Sequence, residues 1–400
     1  MSSALQRDYA YYKRVLGARP MPFAFVDLDL FDANIDAIAQ RAQGRPIRVA
    51  SKSVRCPALL KRIFERNPLY RGIMSYSARE TCFLVEQGFD DFLIGYPLWH
   101  ADDVRDLCAA VSNGARIVLM VDAPEHATHL NALAGEAGIT LPVCIDLDMS
   151  SDFPGLRFGV RRSPINRPEQ AVALAKVIAD QPNLELAGLM GYEAQIAGLP
   201  DNAPGGGLKN AVVRFLKRRS IAEIAKRRTE TVHALREAGF ELGLVNGGGT
   251  GSVESTLMEE HVTEVTVGSG FFSPVLFDGY TAFRHMPAVG YAIEVTRKPA
   301  PGIITCLGGG YVASGGTGPD KQPKPYLPEG AALLSLEGAG EVQTPIQYSG
   351  PEVLEYGDPV FMRYSKAGEM CERFNALLVV QDGAIVDEYP TYRGLGHHFL

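Results

Sequence analysis

The chain has 400 residues, 46% of them hydrophobic and 21% charged, an ordinary globular make-up beyond the usual size of one compact domain. A net charge of -7 argues against a nucleic-acid surface, and no apolar stretch is long enough to span a bilayer. The six cysteines lack metal-finger spacing and the N-terminus lacks the apolar centre of a signal peptide, so a cytoplasmic protein is expected.

In chain order, residues 1–22 form an N-terminal segment expected to pack on a C-terminal domain. "FAFVDLDLFDANIDAIAQRA" then supplies one strand and one helix. That strand is also a candidate to pair with the C-terminal domain. Asp27 and Asp29 share a strand face, but an N-cap and turn role before the helix suits them better. From residue 47, short apolar runs alternate with helical patterns: "IRVASK" (47–52), "GIMSYS" (72–77), "DFLIGY" (91–96), "RIVLMVD" (116–122), "LPVCIDLD" (141–148), "LAGLMGYE" (186–193), "LGLVNGGG" (242–249) and "EVTVGSG" (264–270). Strands without strict alternation, each followed by a helix, predict a parallel sheet covered on its outer face. Eight such units predict an α/β chain with a closed (β/α)₈ barrel over 23–284. An open doubly wound sheet is the alternative.

The basic run "RFLKRRSIAEIAKRR" (214–228) reads as a solvated helix face. From about residue 285 the helical period fades into Gly- and Pro-rich β patterns, which predicts a second, mainly β domain over 285–400. Within it, "SGGTGPDKQPKPYLPEG" (314–330) reads as a long surface loop.

Polar and glycine residues gather at the predicted C-terminal strand ends, where barrel enzymes place their sites: Lys52, Ser75, Tyr76, Tyr96, Asp122, Asp146, Asp148, Tyr192, Glu193, Asn246 to Thr250 and Gly268 to Gly270. Lys52 is a surface loop lysine or, on the sharper reading, a desolvated lysine poised to attack carbonyls. "VNGGGTGS" (245–252) and "GSGFF" (268–272) follow the seventh and eighth strands. Gly248, Gly249, Gly251, Gly268 and Gly270 let backbone N–H groups approach an anion, a following helix N-terminus favours it, and Thr250, Ser252 and Ser269 add hydroxyls. A carbonyl-reactive lysine on the first strand and a phosphate cradle on the last two fit pyridoxal 5′-phosphate, because those strands are neighbours in a closed barrel.

With these residues in place, the chain resembles the fold-type III pyridoxal phosphate enzymes, the alanine racemase superfamily, and within them the D-threonine aldolase and D-serine dehydratase group. The resemblance runs from "PFAFVDLDLFDANI" to "YPTYRGLGHHF". It implies a Schiff base on Lys52. "DLDMSSDFPGLRFGV" resembles the family's D-x-G-x-x-R-x-G segment at Asp146, Arg157 and Gly159, which implies Arg157 beside the cofactor ring. "GLMGYEAQIAG" nominates Tyr192 and Gln195 beside ring and phosphate, and "GGGTGS" matches the phosphate loop. The resemblance also implies a homodimer and a small amino acid as substrate, of D configuration or bearing a β-hydroxyl.

One departure concerns a divalent metal. The group carries a histidine and a second ligand two residues later, and the corresponding "SKAGEMCERFN" (365–375) has Glu369 in the histidine's place. Glu369 and Cys371 are expected on one face of a strand, with no metal and with Glu369 as a substrate contact or acid–base group; the metal stays open. His126 and His129 are read as outer-ring helix residues; His397 and His398 belong either to a frayed tail or, as the resemblance implies for the family's C-terminus, near the active site. The reaction expected is a lyase step, aldolase or dehydratase. The alternatives are an amino acid racemase, which needs an acid–base group on each face of the cofactor, and a non-catalytic cofactor carrier.

Overall fold

The computed structural model describes residues 7–316 and 318–400; residues 1–6 of the N-terminal segment lie outside the described residues. The chain runs through β1 (Phe23–Asp27), β2 (Ile47–Ala50), β3 (Tyr70–Ser75), β4 (Phe92–Pro97), β5 (Ile117–Val121), β6 (Leu141–Asp146), a hairpin of β7 (Ser151–Phe153) and β8 (Leu156–Phe158), then β9 (Leu184–Gly191), β10 (Leu244–Gly247), β11 (Glu264–Val267) and β12 (Val289–Ala300). Strands β2 to β6 and β9 to β11 close into a parallel barrel, in which β11 pairs with both β10 and β2. All eight apolar runs read from the sequence are barrel strands. Proline opens the helices Pro57–Arg66, Pro124–Ala137 and Pro168–Ala179, where a missing N–H costs nothing.

The barrel interior is layered. Arg48 pairs with Glu264 at 2.5 Å and Asp91 at 2.9 Å towards the strands' N-terminal ends. Above them Leu93, Met120, Cys144 and Met190 form a separate apolar plug. The plug leaves the C-terminal mouth as the open end.

The second domain is a nine-stranded, mostly antiparallel sheet. Strand β1 belongs to it, antiparallel to β12 and parallel to Ala376–Gln381. The barrel boundary drawn at residue 23 is therefore corrected. All five residues of β1 are buried and need partners on both edges, and a barrel already closed by eight strands offers none. Asp27 caps the helix Leu28–Arg41 by accepting from the Leu30 N–H. Helix Tyr9–Leu16 packs Tyr12 against Phe25 and Phe361, so this part of the N-terminal segment lies on the sheet domain.

Two further readings change. The basic run lies in the 31-residue helix Gly207–Glu237, which is not only solvated: Lys217, Ser220 and Arg228 are buried on its inner face. The stretch 314–330 is not loop throughout, since Lys324–Leu327 is a strand paired with Pro359–Arg363. No helix among the described residues is long and apolar enough to cross a membrane.

Candidate active site

A cavity of about 150 Å³ opens at the C-terminal mouth of the barrel. Its ionisable wall consists of Lys52, Tyr96, Asp146, Asp148, Arg162 and Tyr192, and its floor includes Met74 and Met190. Gly248, Gly249, Thr250, Gly268 and Ser269 line the part of it next to the Lys52 turn. The register of β10, β11 and β2 explains the grouping: three adjacent strands end in the two glycine loops and in the Lys52 turn. Ser53 on that turn lies 3.1 Å from Ser269, hydroxyl to hydroxyl.

The lysine end is held by side chains. Lys52 Nζ donates to the Tyr96 hydroxyl at 2.6 Å. Burial alone raises the Tyr96 phenol, but the charges of Lys52 and Arg162 outweigh it and bring Tyr96 below its ordinary value. Arg162 faces the rings of Tyr96 and Tyr192 at 6.0 and 5.7 Å and makes no hydrogen bond or ion pair among the described residues. It is a free cation in the cavity wall. Behind the turn, the C-terminal domain closes in. A Cβ on Gly368 would lie 1.9 Å from the Lys52 carbonyl oxygen, Arg55 donates to that oxygen at 3.0 Å, and Arg55 also pairs with Glu372 at 2.5 Å.

The glycine end is held by backbone over a buried charge cluster. Glu193 accepts from the Gly248 N–H at 2.8 Å and pairs with Arg228, which also pairs with Glu259. Arg41 donates to the Thr250 carbonyl at 2.7 Å. The loop is thus fixed from below, while the N–H groups of Gly249, Thr250 and Gly251 have no acceptor among the described residues. A Cβ on Gly249 would fall 2.6 Å from Ala197, and one on Gly268 would fall 2.7 Å from Ser53, so side chains would fill the cradle. The helix after the loop, Val253–Leu257, has only five residues, so the anion site rests on loop N–H groups more than on a helix dipole.

The residues nominated from sequence separate into two groups. Lys52, Tyr192, Gly248, Gly249, Thr250, Gly268 and Ser269 meet at the cavity. Gly251 backs onto Ala197 and Tyr280, and Gly270 donates its N–H to Thr250 at 3.0 Å, so both support the cradle from outside. Gln195 is buried and donates to the Met149 carbonyl at 2.6 Å and to Ser220 at 2.9 Å. Arg157 pairs with Asp148 at 2.5 Å on the β7–β8 hairpin, behind the cavity wall. The guanidinium that reaches the cavity is Arg162, which no spacing in the sequence marked.

Glu369 lies away from the cavity wall, accepting from the Ser314 N–H at 2.8 Å and the Tyr364 hydroxyl at 3.2 Å. Burial works to raise it, but these donors and the charge of Lys366 hold it below the ordinary carboxylate value. The expectation that Glu369 and Cys371 share a strand face is corrected. Residues Glu369–Glu372 form a 3₁₀ turn, in which Cys371 is buried with its thiol towards the Val54 carbonyl. A tight turn sends these side chains in different directions.

The sequence reading also passed over Glu193 as a site residue. Its signal was its place directly after Tyr192 at a strand end.

Pyridoxal 5′-phosphate is the cofactor implied by the resemblance, and the residues fit it. A primary amine, unpaired loop N–H groups and the ring of Tyr192 line the same cavity. A family model described as alanine racemase, N-terminal domain, matches residues 26–274. A D-threonine aldolase from Arthrobacter sp. is 24% identical over 291 residues, 70% of this chain and 69% of its own length. A 3-hydroxy-D-aspartate aldolase from Paracoccus denitrificans (strain Pd 1222) is 22% identical over 58% of this chain and 54% of its own length. Among solved structures, a D-threonine aldolase from Filomicrobium marinum superposes with a TM-score of 0.80 at 20% identity, covering 95% of this chain and 96% of that one. A D-threo-3-hydroxyaspartate dehydratase from Delftia sp. HT23 gives 0.75 at 19% identity, covering 94% and 98%.

Proposed function

Because the chain belongs to the alanine racemase N-terminal domain family, we propose that it is a pyridoxal phosphate-dependent lyase that splits a β-hydroxy D-amino acid into an aldehyde and glycine. One observation carries the reading: a lysine and a glycine loop with unpaired N–H groups line one cavity. Lys52 would hold the cofactor through its side-chain amine, and the N–H groups of Gly249 and Thr250 would hold its phosphate. When bound, the cofactor disperses the electron pair left at the substrate α-carbon. Arg162, in no ion pair among the described residues, pairs with the substrate carboxylate. Lys52 moves a proton at the substrate α-carbon, and Tyr96 orients it.

The names of the relatives favour cleavage of the Cα–Cβ bond over racemisation. We place the enzyme in the cytoplasm, since all six cysteines are free thiols, and as the homodimer that the resemblance implies. A divalent metal is left open: among the described residues no three His, Cys, Asp or Glu side chains converge.

The test is a panel of D- and L-amino acids, with and without a β-hydroxyl, scored for aldehyde. Aldehyde and glycine from the D-β-hydroxy members alone support the reading. Ammonia with a 2-oxo acid would make it a dehydratase, the mirror-image amino acid a racemase, and no turnover with cofactor bound a carrier.

A further inference from the structure

Six ionisable residues line the cavity, and five of them have an evident occupation. Lys52 and Tyr96 are hydrogen-bonded to each other, Arg162 is a permanent cation, and Tyr192 stacks beside the glycine loop. Asp148 is tied to Arg157 and to the Ser150 hydroxyl. The sixth is Asp146, at the C-terminal end of β6, whose carboxylate accepts no hydrogen bond among the described residues. Its oxygens are open to the cavity rather than sealed in the core, so no protein donor competes for them, which suits a group kept for chemistry.

We propose that Asp146 is the base that takes the β-hydroxyl proton of the substrate. The proposal rests on the retro-aldol reading above. That cleavage needs a base, because the O–H electron pair must become the second bond of the leaving aldehyde. Asp146 takes the hydroxyl proton, the C–O double bond forms, and the Cα–Cβ bond breaks with its electron pair left at the α-carbon. A proton returned to that carbon yields glycine, and the aldehyde leaves with no oxidant or reductant involved. Glu369, in the place of the group's metal-ligating histidine, is occupied by Ser314 and Tyr364 and leaves this task to the cavity wall.

The surroundings tune the group. Burial comes first, then the charge of Asp122 at the end of β5, with Asp148 adding and Arg162 opposing, and the carboxyl is raised to about 7. Tyr96 and Lys52 face it across the cavity, and His126 stands 3.1 Å behind Asp122. Asp146 therefore exchanges a proton near neutrality, as an efficient base should.

The experiment compares the holoenzyme with Asp146→Asn and Asp146→Glu, using the panel member that the wild type cleaves fastest. Cleavage should rise with pH through about 7 in the wild type, as the carboxylate forms. Asp146→Asn should bind cofactor normally yet lose roughly 10²–10⁴-fold in kcat/KM together with that pH limb, and Asp146→Glu should regain part of both. Infrared difference titration of the substrate-free holoenzyme should show, beside the Glu80 signal common to both proteins, a second carboxylic acid losing its proton near neutrality that is absent in Asp146→Asn. Should Asp146→Asn fail to hold cofactor, the wild-type titration and Asp146→Glu decide. An Asn variant within fivefold of wild type, an unchanged pH limb, or a limb that falls with rising pH would overturn the assignment. A wild type that releases no aldehyde from any panel member would overturn the proposed function instead, while the infrared titration would still decide whether Asp146 exchanges a proton.

Discussion

The two ends of the cavity are built differently. The glycine end is local to the barrel and the helix leading into it: backbone N–H groups held from below by Glu193, Arg228 and Glu259, with Arg41 on the Thr250 carbonyl. The lysine end draws on the whole chain. Gly368 and Glu372 of the sheet domain press on the Lys52 turn, and Tyr392, near the C-terminus, donates to Glu80 at 2.9 Å behind it. The loop's unpaired N–H groups are thus set by the barrel and that helix, whereas the Lys52 turn is also held by the second domain.

Breaking each end separately should show this. Lys52→Ala gives the largest effect: turnover should fall to background while the barrel stays folded, read by aldehyde release and circular dichroism. Gly368→Ala comes next. Its φ of +87° and the 1.9 Å approach to the Lys52 carbonyl leave no room for a Cβ, so the lysine turn must shift. Turnover should drop roughly 10²-fold, as for a displacement near 1 Å, with inorganic phosphate affinity unchanged. Glu193→Ala attacks the other end: it unties the Gly248 N–H and leaves Arg228 half-paired. Unfolding by urea should show a loss of about 3–5 kcal/mol, with weakened phosphate affinity.

Glu80 gives a pH signature at the lysine end. Burial raises its carboxyl to about 7, only partly offset by hydrogen bonds from Ser51, Tyr76 and Tyr392. Its folded value lies above the unfolded one, so the native state holds the extra proton. Stability should therefore fall as pH rises from about 4.5 to about 7, by on the order of 3 kcal/mol, and Glu80→Gln should flatten that slope. The smallest effect is expected from Glu369→Gln, under about threefold in kcat, since that carboxylate is bound to Ser314 and Tyr364 away from the cavity.

The contrast also governs what the sequence could reveal. Strand periodicity and the glycine runs are local signals, so the barrel, its eight strands and the glycine loops at its mouth were legible. The sheet edge occupied by β1 was legible only as a candidate, because its partners lie more than 260 residues away at Val289 and Leu377. Arg157 and Arg162 show the other limit. The β7–β8 hairpin turns Arg157 onto Asp148, and a hairpin of three-residue strands leaves too little pattern to be read from sequence. Asp146 was visible as a strand-end acid, but its lack of a donor is a three-dimensional fact.

The central claim is that Lys52 is the residue that holds the cofactor beside the glycine loop, and borohydride reduction of the holoenzyme followed by peptide mapping tests it most directly. Lys217 is a real competitor: burial brings its ammonium down to about 8 despite Asp201, and it lies 4.6 Å from the Tyr280 ring beside Gly251. The account predicts one reduced cofactor per chain, on the peptide carrying Lys52. An adduct on Lys217, or on any lysine other than Lys52, would contradict it.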